Sequence, residues 1–252
     1  MLDGPYFQIY WEKILKFTLH KMNIGSGESV ESSGESYVID YILDKLHEPL
    51  VIFDVGANIG DYTLSIAGKL DQSSTIYCFE PSKKTFDTLS KNVKNKNARL
   101  FNFGFGSKTE ELRLYSNQSG SGLASVYKRR LDHFDIYMDN TEKISLKTLD
   151  EFTAESQIKH INLLKIDVEG HEYEVLSGAK SLLKSDAIDF IQFEFGGCNI
   201  DSRTYFQDFF YMLNPNFKIY RILNNGFFPI PQYQEIYEQF ATTNFLAVSK
   251  KI

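Results

Sequence analysis

The sequence predicts an α/β fold, with a mostly parallel, seven-stranded sheet that has an antiparallel edge and carries helices on both faces. Three observations support this prediction. Residues 50–55 form a nearly unbroken apolar run, which is typical of a central parallel strand covered on both faces. Further apolar runs alternate with segments of helical periodicity, as in strand-helix-strand units. Residues 217–223 and 242–249 then suit a final antiparallel pair.

The N-terminal segment predicts two helices before the first strand. Residues 5–22 have a broad apolar side, so we expect this helix to pack on the domain or to pair with a second copy. A cap over the site is an alternative, and a membrane-surface helix is disfavoured by the low density of lysine and arginine. The polar loop 24–34 is either a linker or a flap before the helix 35–47. We expect residues 1–48 to form a helical cap and residues 49–252 the main domain.

The first predicted strand runs into a glycine turn that predicts a nucleotide site. The order is Asp54-Val55-Gly56-Ala57-Asn58-Ile59-Gly60, followed by helical spacing. Glycine permits unusual dihedrals and close approach of a ligand to the main chain. A dinucleotide site would need G-x-G-x-x-G, which this turn lacks. An acid in front of the turn would repel a phosphate but attract an ammonium group, so Asp54 indicates a cationic ligand.

The second predicted strand, residues 75–79, ends in Glu80, which is placed to accept hydrogen bonds from both hydroxyls of a ribose. The alternative is that Asp54 and Glu80 merely cap the helices that follow them. A third strand, residues 99–105, ends in a Gly-Phe-Gly turn at 104–106. The main chain around Phe105 and Gly106 is expected to contact an adenine edge, with a simple hairpin turn as the alternative.

Residues 110–152 interrupt the strand-helix alternation. Long loops in compact domains are often substrate lids, and residues 116–125 are the lid candidate. The run Lys128-Arg129-Arg130 would hold a phosphate or carboxylate of a substrate, although such runs are more often solvated surface. His133 lies nearby and is a weak candidate for a base or substrate contact.

The second informative stretch is a buried strand, residues 163–166, that ends in acidic residues. Lys165, Asp167, Glu169 and His171 crowd the strand end that faces the glycine turn. Ionisable groups this close shift one another's pKa values, which is typical of catalytic sites but also of structural networks. A fifth strand, residues 187–195, carries Glu194 near its end.

Composition narrows the function classes. The formal net charge of −6 among 252 residues argues against a nucleic-acid-binding surface. Two cysteines, Cys78 and Cys198, are too few for a disulfide framework and are expected to be core thiols in a reducing compartment. No run of 18 apolar residues and no clean signal sequence exist, so we expect a cytoplasmic protein without stable membrane insertion.

With these stretches read, the chain resembles the FkbM-type S-adenosylmethionine-dependent methyltransferases. The resemblance rests on VIFDVGANIGDYT, CFEPSKKTFDTLSKNV, LLKIDVEGHEYEVLSGA and IQFEF, and it extends from about residue 51 to residue 247. It implies a Rossmann-like class I methyltransferase fold, S-adenosyl-L-methionine as cofactor, and methyl transfer to an oxygen of a sugar, a glycan precursor or a natural product. Carried over by position, the methionine part would contact Asp54, Gly56, Asn58 and Gly60, the ribose Glu80, the adenine Phe105 and Gly106, and the amino end or methyl pocket Asp167.

His171 is the first choice for a base that removes the acceptor proton, with Asp167 and Glu169 behind it, because histidine is readily poised near neutral pH. The alternative is that His171 only orients its turn. We predict no metal, although Asp167, Glu169 and Glu194 would be the oxygen ligands of a divalent ion if one activated the hydroxyl. A non-catalytic relative acting as an interaction module and an NAD-dependent enzyme are the rival functions.

Overall fold

A computed structural model describes residues 4–25 and 33–252. The strands are β1 (Val51–Val55), β2 (Thr75–Phe79), β3 (Ala98–Phe101), β4 (Gly104–Phe105), β5 (Glu110–Ser116), β6 (Asn140–Lys147), β7 (Ile161–Ile166), β8 (Ile188–Phe195), β9 (Phe217–Leu223), β10 (Gly226–Ile230) and β11 (Thr243–Ser249). The helices are α1 (Pro5–Lys21), α2 (Glu35–Lys45), α3 (Asp61–Ala67), α4 (Lys83–Asn92), α5 (Leu149–Glu155), α6 (Glu172–Ser177), α7 (Lys180–Lys184), α8 (Cys198–Ser202) and α9 (Phe206–Leu213).

The main sheet has the order β10-β9-β11-β8-β7-β1-β2-β3, and β1 is the middle one of its five parallel strands. Strands β8, β7, β1, β2 and β3 are parallel, and β11, β9 and β10 are antiparallel to their neighbours. Two apolar clusters cover the two faces, one around Phe53 and Phe79 and one around Ile52 and Ile66. The mixed sheet with helices on both faces confirms the predicted fold class.

The main sheet has eight strands where the sequence predicts seven. The additional strand is β10, which pairs with β9 in antiparallel register and forms the sheet edge. The segment contains Pro229, whose missing N–H is tolerated on an edge strand. A proline in a short apolar segment usually marks a break between elements, so the sequence pattern does not predict this strand.

A second sheet, β4-β6-β5, lies outside the regular alternation. The predicted third strand, residues 99–105, is in fact split, because Asn102 donates two side-chain hydrogen bonds to the carbonyls of Glu80 and Pro81. β3 stays in the main sheet, and β4 pairs with β6 instead. The helices α8 and α9 are likewise separated at Arg203, whose φ of 62° is left-handed.

The two N-terminal helices differ in how they contact the rest of the chain. α2 buries Val38, Ile39 and Ile42 in the same cluster as Ile52. α1 buries none of its residues, and only its C-terminal end lines an apolar cavity with Arg221 and strand β11. Residues 26–32 of the predicted loop lie outside the described residues, and the division at residue 48 stays a prediction. Within the described ranges, no helix combines the length and apolarity that a membrane span requires.

Candidate active site

The glycine turn after β1 has the tight geometry that the sequence predicts. Gly56 has φ +84°, and a Cβ at this position would lie 1.8 Å from the carbonyl oxygen of Asp167. Only glycine fits, because the turn presses against the end of β7. The N–H groups of Gly56 and Ala57 both donate to the carbonyl of Phe79 at 3.0 Å. These two N–H groups therefore hold the turn rather than face a ligand.

Asn58 lies at the crest of the turn with φ 48°, a left-handed conformation that asparagine tolerates. Its side-chain Oδ1 is buried without a hydrogen-bond partner within the described part of the chain, and the residue lines the main cavity. Buried polar atoms are nearly always paired, so this acceptor is suited to a donor supplied by a ligand.

Asp54 and Gly60 lie behind the turn and not in the cavity lining. Asp54 is fully buried and accepts a hydrogen bond of 2.6 Å from the hydroxyl of Thr63. Its Oδ1 lies 3.8 Å from Nζ of Lys165. Burial raises the pKa of Asp54, and Lys165 opposes that rise. Gly60, with φ +101°, packs against Leu89 and begins α3. Their predicted contact with a ligand stays a prediction.

Glu80 faces the cavity from the end of β2. One carboxylate oxygen accepts from the N–H of Asn58 at 3.1 Å, and the other from the N–H of Ser82 at 2.8 Å. Burial raises the pKa of Glu80 to about 7. A carboxylate has about four lone-pair sites, so each oxygen still has capacity for one ligand hydroxyl.

The cavity above the turn is an open cleft of about 750 Å³, a volume that includes the solvent space at its mouth. One wall carries the predicted contacts Gly56, Asn58, Glu80, Phe105, Asp167, Glu169 and His171. Gly106 adjoins this wall, since a Cβ on it would lie 3.0 Å from Nε2 of His171. The opposite wall comes from the second sheet and the lid candidate, namely Leu114, Ser121, Gly122, Ala124, Ile144 and Leu146.

The apolar wall from the second sheet was missed at the sequence level. The signal was present, because Leu112 and Leu114 alternate with charged residues, as do Ile144 and Leu146 with serine and lysine. β5 and β6 pair over their whole length and turn this alternating face toward the cavity. The lid candidate is fastened beside it, since Tyr115 and Ser125 exchange backbone hydrogen bonds of 2.7 and 2.9 Å.

A buried ionic network lies beneath the strand end. Nζ of Lys165 lies 3.1 Å from Asp167 and over the ring of Tyr62 at 4.9 Å. Burial lowers the pKa of Lys165, but Asp167, Asp54 and Glu35 outweigh that effect and raise it. Lys165 therefore stays charged and compensates its carboxylate neighbours. The Asp167 side chain is 38% exposed, so it can still reach a ligand.

Glu169 forms a salt bridge with Arg129 from the insert, and both side chains are largely buried. Burial and then the Asp167 carboxylate raise the pKa of Glu169 to about 8, although Arg129 opposes the rise. The Nε atom of Arg129 is buried and has no partner in the described residues. Behind this pair, Glu172 accepts from the N–H groups of Val168 and Gly170, and burial raises its pKa to about 7.

His171 is 9% exposed, and its Nδ1 lies 3.1 Å from the hydroxyl of Tyr127. Burial lowers the pKa of His171 to about 4, so the ring is neutral near pH 7. Tyr127 is a second residue that sequence reasoning missed, because an isolated tyrosine in a loop carries no pattern. The role of His171 as a base stays a prediction.

The basic run divides between interior and surface. Arg129 turns inward to Glu169, whereas Lys128 and Arg130 are exposed, and Lys128 forms a salt bridge of 3.2 Å with Asp139. His133 is exposed and stacks beside Phe134. None of these three exposed residues lines the cavity. The described residues include no cluster of three or more His, Cys, Asp or Glu side chains that could hold a metal ion.

Comparison with known proteins gives the family. The sequence model of the methyltransferase FkbM domain matches residues 54–224. The hexuronic acid methyltransferase AglP of Haloferax volcanii is 30% identical over 155 residues, which cover 60% of this chain and 59% of AglP. The 2-O-methyltransferase NoeI of Sinorhizobium fredii is 24% identical over 143 residues, or 53% of this chain and 58% of NoeI. The alignments thus span less than two thirds of either relative.

A solved structure supports the fold. The crystal structure of methyltransferase FkbM from Methylobacillus flagellatus superposes with a TM-score of 0.50 at 15% identity, covering 87% of this chain and 50% of that chain. At this level of identity, the match supports the fold alone. Because the family match covers more than half of the 252 residues, this chain belongs to the methyltransferase FkbM domain family.

Proposed function

We propose that the protein is an S-adenosylmethionine-dependent O-methyltransferase whose acceptor is a hydroxyl of a sugar acid or a related glycan precursor. One observation carries the proposal: a cavity of about 750 Å³ joins the glycine turn, Glu80 and Asp167 at the carboxyl edge of the sheet. Ligands of open α/β sheets bind at this edge. The family membership agrees with methyl transfer as the reaction.

The residues present fit the cofactor. Glu80 would accept the ribose hydroxyls, and the unpaired Oδ1 of Asn58 and the exposed part of Asp167 would accept from the ammonium group. The apolar wall with Leu146 and Phe105 would cover the adenine. When bound, the cofactor supplies a methyl group that its sulfonium already activates. The carboxylates around the cavity suit this cation and would repel a diphosphate, which disfavours an NAD-dependent enzyme.

The protein would position the methyl donor and the acceptor and would exclude water from the site. Holding two reactants in line can supply roughly 7–11 kcal/mol of a barrier. The two sheets meet around the cavity, so the acceptor would enter past the insert between β5 and β6. Arg129 is the one residue of the basic run that the chain turns inward, and it is our candidate for contacting an acidic group of the acceptor.

Two relatives support the proposed acceptor class. AglP is named as a hexuronic acid methyltransferase and NoeI as a 2-O-methyltransferase. A sugar carboxylate would complement the guanidinium of Arg129, which is only partly paired. Surface polysaccharide or glycan synthesis is the corresponding biological setting that we infer.

A transfer screen tests the proposal. The protein is incubated with methyl-labelled S-adenosylmethionine and a panel of free, phosphorylated and nucleotide-linked hexoses and hexuronic acids. We expect a labelled methyl ether on a hexuronic acid derivative, and no label with the Glu80→Ala variant. Label on a nitrogen or carbon atom would contradict O-methylation. Thermal stabilisation by NAD but not by S-adenosylhomocysteine would contradict the cofactor.

We also infer that α1 pairs two copies of the chain. Its apolar side chains are exposed, including Tyr6 at 88% and Tyr10 at 62%. The helix carries Glu12 followed by Lys13 and Lys16, so a two-fold antiparallel pair that crosses near these residues would place opposite charges across the interface. Sedimentation velocity is expected to show a dimer that Tyr10→Glu converts to a monomer; a monomer at all concentrations would contradict the pairing.

A further inference from the structure

The sheet register places two rows of polar side chains across neighbouring strands on one face. The lower row joins Asp54, Lys165 and Gln192, which are register partners on β1, β7 and β8. Side chains two residues further along a strand lie on the same face. An upper row, which we call the distal row, therefore runs from Gly56 through Asp167 and Glu194 to Asn244, the register partner of Glu194 on β11.

The lower row is mostly paired within itself. Lys165 contacts Asp54 and Asp167, although Oδ1 of Asp54 has no hydrogen-bond partner in the described part of the chain. Gln192 donates to Glu35 at 2.7 Å and accepts from the hydroxyl of Tyr62 at 3.4 Å. All of these groups except Asp167 are buried. This row therefore supports the site from beneath and does not face an acceptor.

The distal row differs, because Glu194 has no partner there. Within residues 4–25 and 33–252, its carboxyl makes no side-chain hydrogen bond or ion pair, and the residue is partly exposed. Neighbouring strands lie about 4.8 Å apart, so Glu194 stands one strand spacing beyond Asp167, on the side away from the ribose carboxylate. Glu194 is not among the residues that line the cavity, so an acceptor that approaches the methyl group next to Asp167 must extend one strand spacing past Asp167 to meet Glu194.

We propose that Glu194 is the catalytic residue that accepts the proton of the acceptor hydroxyl. The inference rests on the proposed function and assigns the base to β8, not to His171. The hydroxyl oxygen forms a bond to the methyl carbon while the carbon–sulfur bond breaks and its electron pair stays on sulfur. The hydroxyl proton passes to the Glu194 carboxylate and from there to solvent.

The position of His171 supports this choice. Its ring lies against Gly106 and is held by Tyr127, on the part of the cavity assigned to the adenine. Its lowered pKa of about 4 also makes it a weak base. Glu194 lies on β8, next to β7, whose end carries Asp167, and two strands, β7 and β1, separate it from β2 and the ribose carboxylate Glu80.

The charged groups around Glu194 allow a test of the proposal that measures proton release on ligand binding. Burial and the carboxylates of Asp167, Glu169 and Glu172 raise the pKa of Glu194, and Lys165 opposes the rise. Two further groups lie near this cluster. Arg129 is paired with Glu169. Burial and then the carboxylates of Glu172 and Glu194 raise the pKa of the Cys198 thiol on α8. A sulfonium beside this cluster lowers the pKa of the carboxyl, so the acid gives up its proton and becomes a base only when the methyl donor is present.

Proton release on binding tests this coupling without an acceptor. S-adenosylmethionine and S-adenosylhomocysteine are titrated calorimetrically at pH 7.5 in two buffers of different ionisation enthalpy. We expect the sulfonium ligand to release more protons than the neutral thioether. Glu194→Gln should remove at least half of this difference, whereas the exposed control Glu111→Gln should retain it. An unchanged difference in Glu194→Gln would overturn the proposal.

The second test of the proposal measures turnover with the acceptor that the transfer screen identifies. We expect Glu194→Gln to lower kcat by about 10²–10⁴-fold, with the Kd for S-adenosylhomocysteine within about threefold of wild type. Glu194→Asp should retain part of the activity, and the acid limb of the pH profile should vanish only in Glu194→Gln. A kcat within threefold of wild type, or an acid limb that follows His171, would overturn the proposal. Failure of the wild type to bind either ligand would instead contradict the proposed function.

Discussion

Replacing Glu80 by alanine removes the carboxylate that we assign to the ribose. Both of its oxygens already accept a backbone N–H, from Asn58 and from Ser82, and each has capacity for one ribose hydroxyl. A hydrogen bond to a charged group contributes about 1.5–3 kcal/mol. Loss of two such bonds costs about 3–6 kcal/mol, which corresponds to a rise of about 10²–10⁴-fold in the Kd for S-adenosylhomocysteine.

Isothermal titration calorimetry at pH 8 measures this change, because Glu80 with a pKa of about 7 is then largely ionised. Asp87→Asn is the matched control, since Asp87 is an exposed carboxylate on α4 that pairs with Lys83. The thermal midpoint of each ligand-free variant separates lost binding from lost folding. If the Glu80→Ala variant binds S-adenosylhomocysteine with a Kd within threefold of the wild-type value, the assignment of Glu80 to the ribose is refuted.

The same carboxyl makes cofactor binding depend on pH. When Glu80 is protonated, one of its oxygens no longer accepts a hydrogen bond freely from a ribose hydroxyl. The wild-type Kd for S-adenosylhomocysteine should therefore rise as the pH falls from 8 through 7 to 6. Binding favours the ionised form, and the bound complex therefore takes up fewer protons than the free protein. In Glu80→Ala this part of the pH dependence should be absent.

Three further predictions concern stability. Arg129→Ala should lower the free energy of unfolding by about 3–5 kcal/mol, because it leaves a buried acid unpaired. The control Arg130→Ala, at the exposed neighbouring residue, should lower it by less than about 0.5 kcal/mol. Urea unfolding distinguishes the two variants. Gly56→Ala should cost at least about 3 kcal/mol from strain and overlap with β7, whereas Gly226→Ala, with open space around it, should be nearly neutral in the same assay. Since Glu169 and its buried neighbours have raised pKa values, the folded state binds more protons than the unfolded state, and stability should fall from pH 6.5 to pH 8. A thermal midpoint that rises across this interval would contradict the raised pKa values.

The central part of the fold could be predicted because its signals are local. The run before Gly56 is apolar enough to require burial on both faces, and the turn and helix follow within a few residues. The same holds for β7 and the acids that follow it. Glu80 was found for the same reason, since an acid at the end of a buried strand stands out against its apolar neighbours.

The strands of the second sheet have a visible alternating pattern, but their pairing could not be predicted from local pattern. β4 pairs with β6, about 40 residues further along the chain, and the two strands of the hairpin are separated by a loop without periodicity. The pairing of Gly104 with Leu146 on β6 determines where the predicted third strand ends. The residues next to Gly104 in the sequence do not indicate this pairing.

The basic run shows a different limit of sequence reasoning. Lys128, Arg129 and Arg130 are equivalent in composition, yet only Arg129 turns toward a buried acid. The partner that selects it, Glu169, lies 40 residues away. Glu194 was visible as an acid near a strand end, but its lack of a partner is a property of the folded sheet and not of the sequence.

Calorimetric titration of the chain with S-adenosylhomocysteine, with NAD titrated in parallel, tests the central claim most directly. We predict one binding site per chain for the nucleoside thioether, abolished or strongly weakened by Glu80→Ala, and no saturable heat with NAD. Saturable binding of NAD, or the absence of any heat with S-adenosylhomocysteine, would contradict a cavity built for a sulfonium nucleoside.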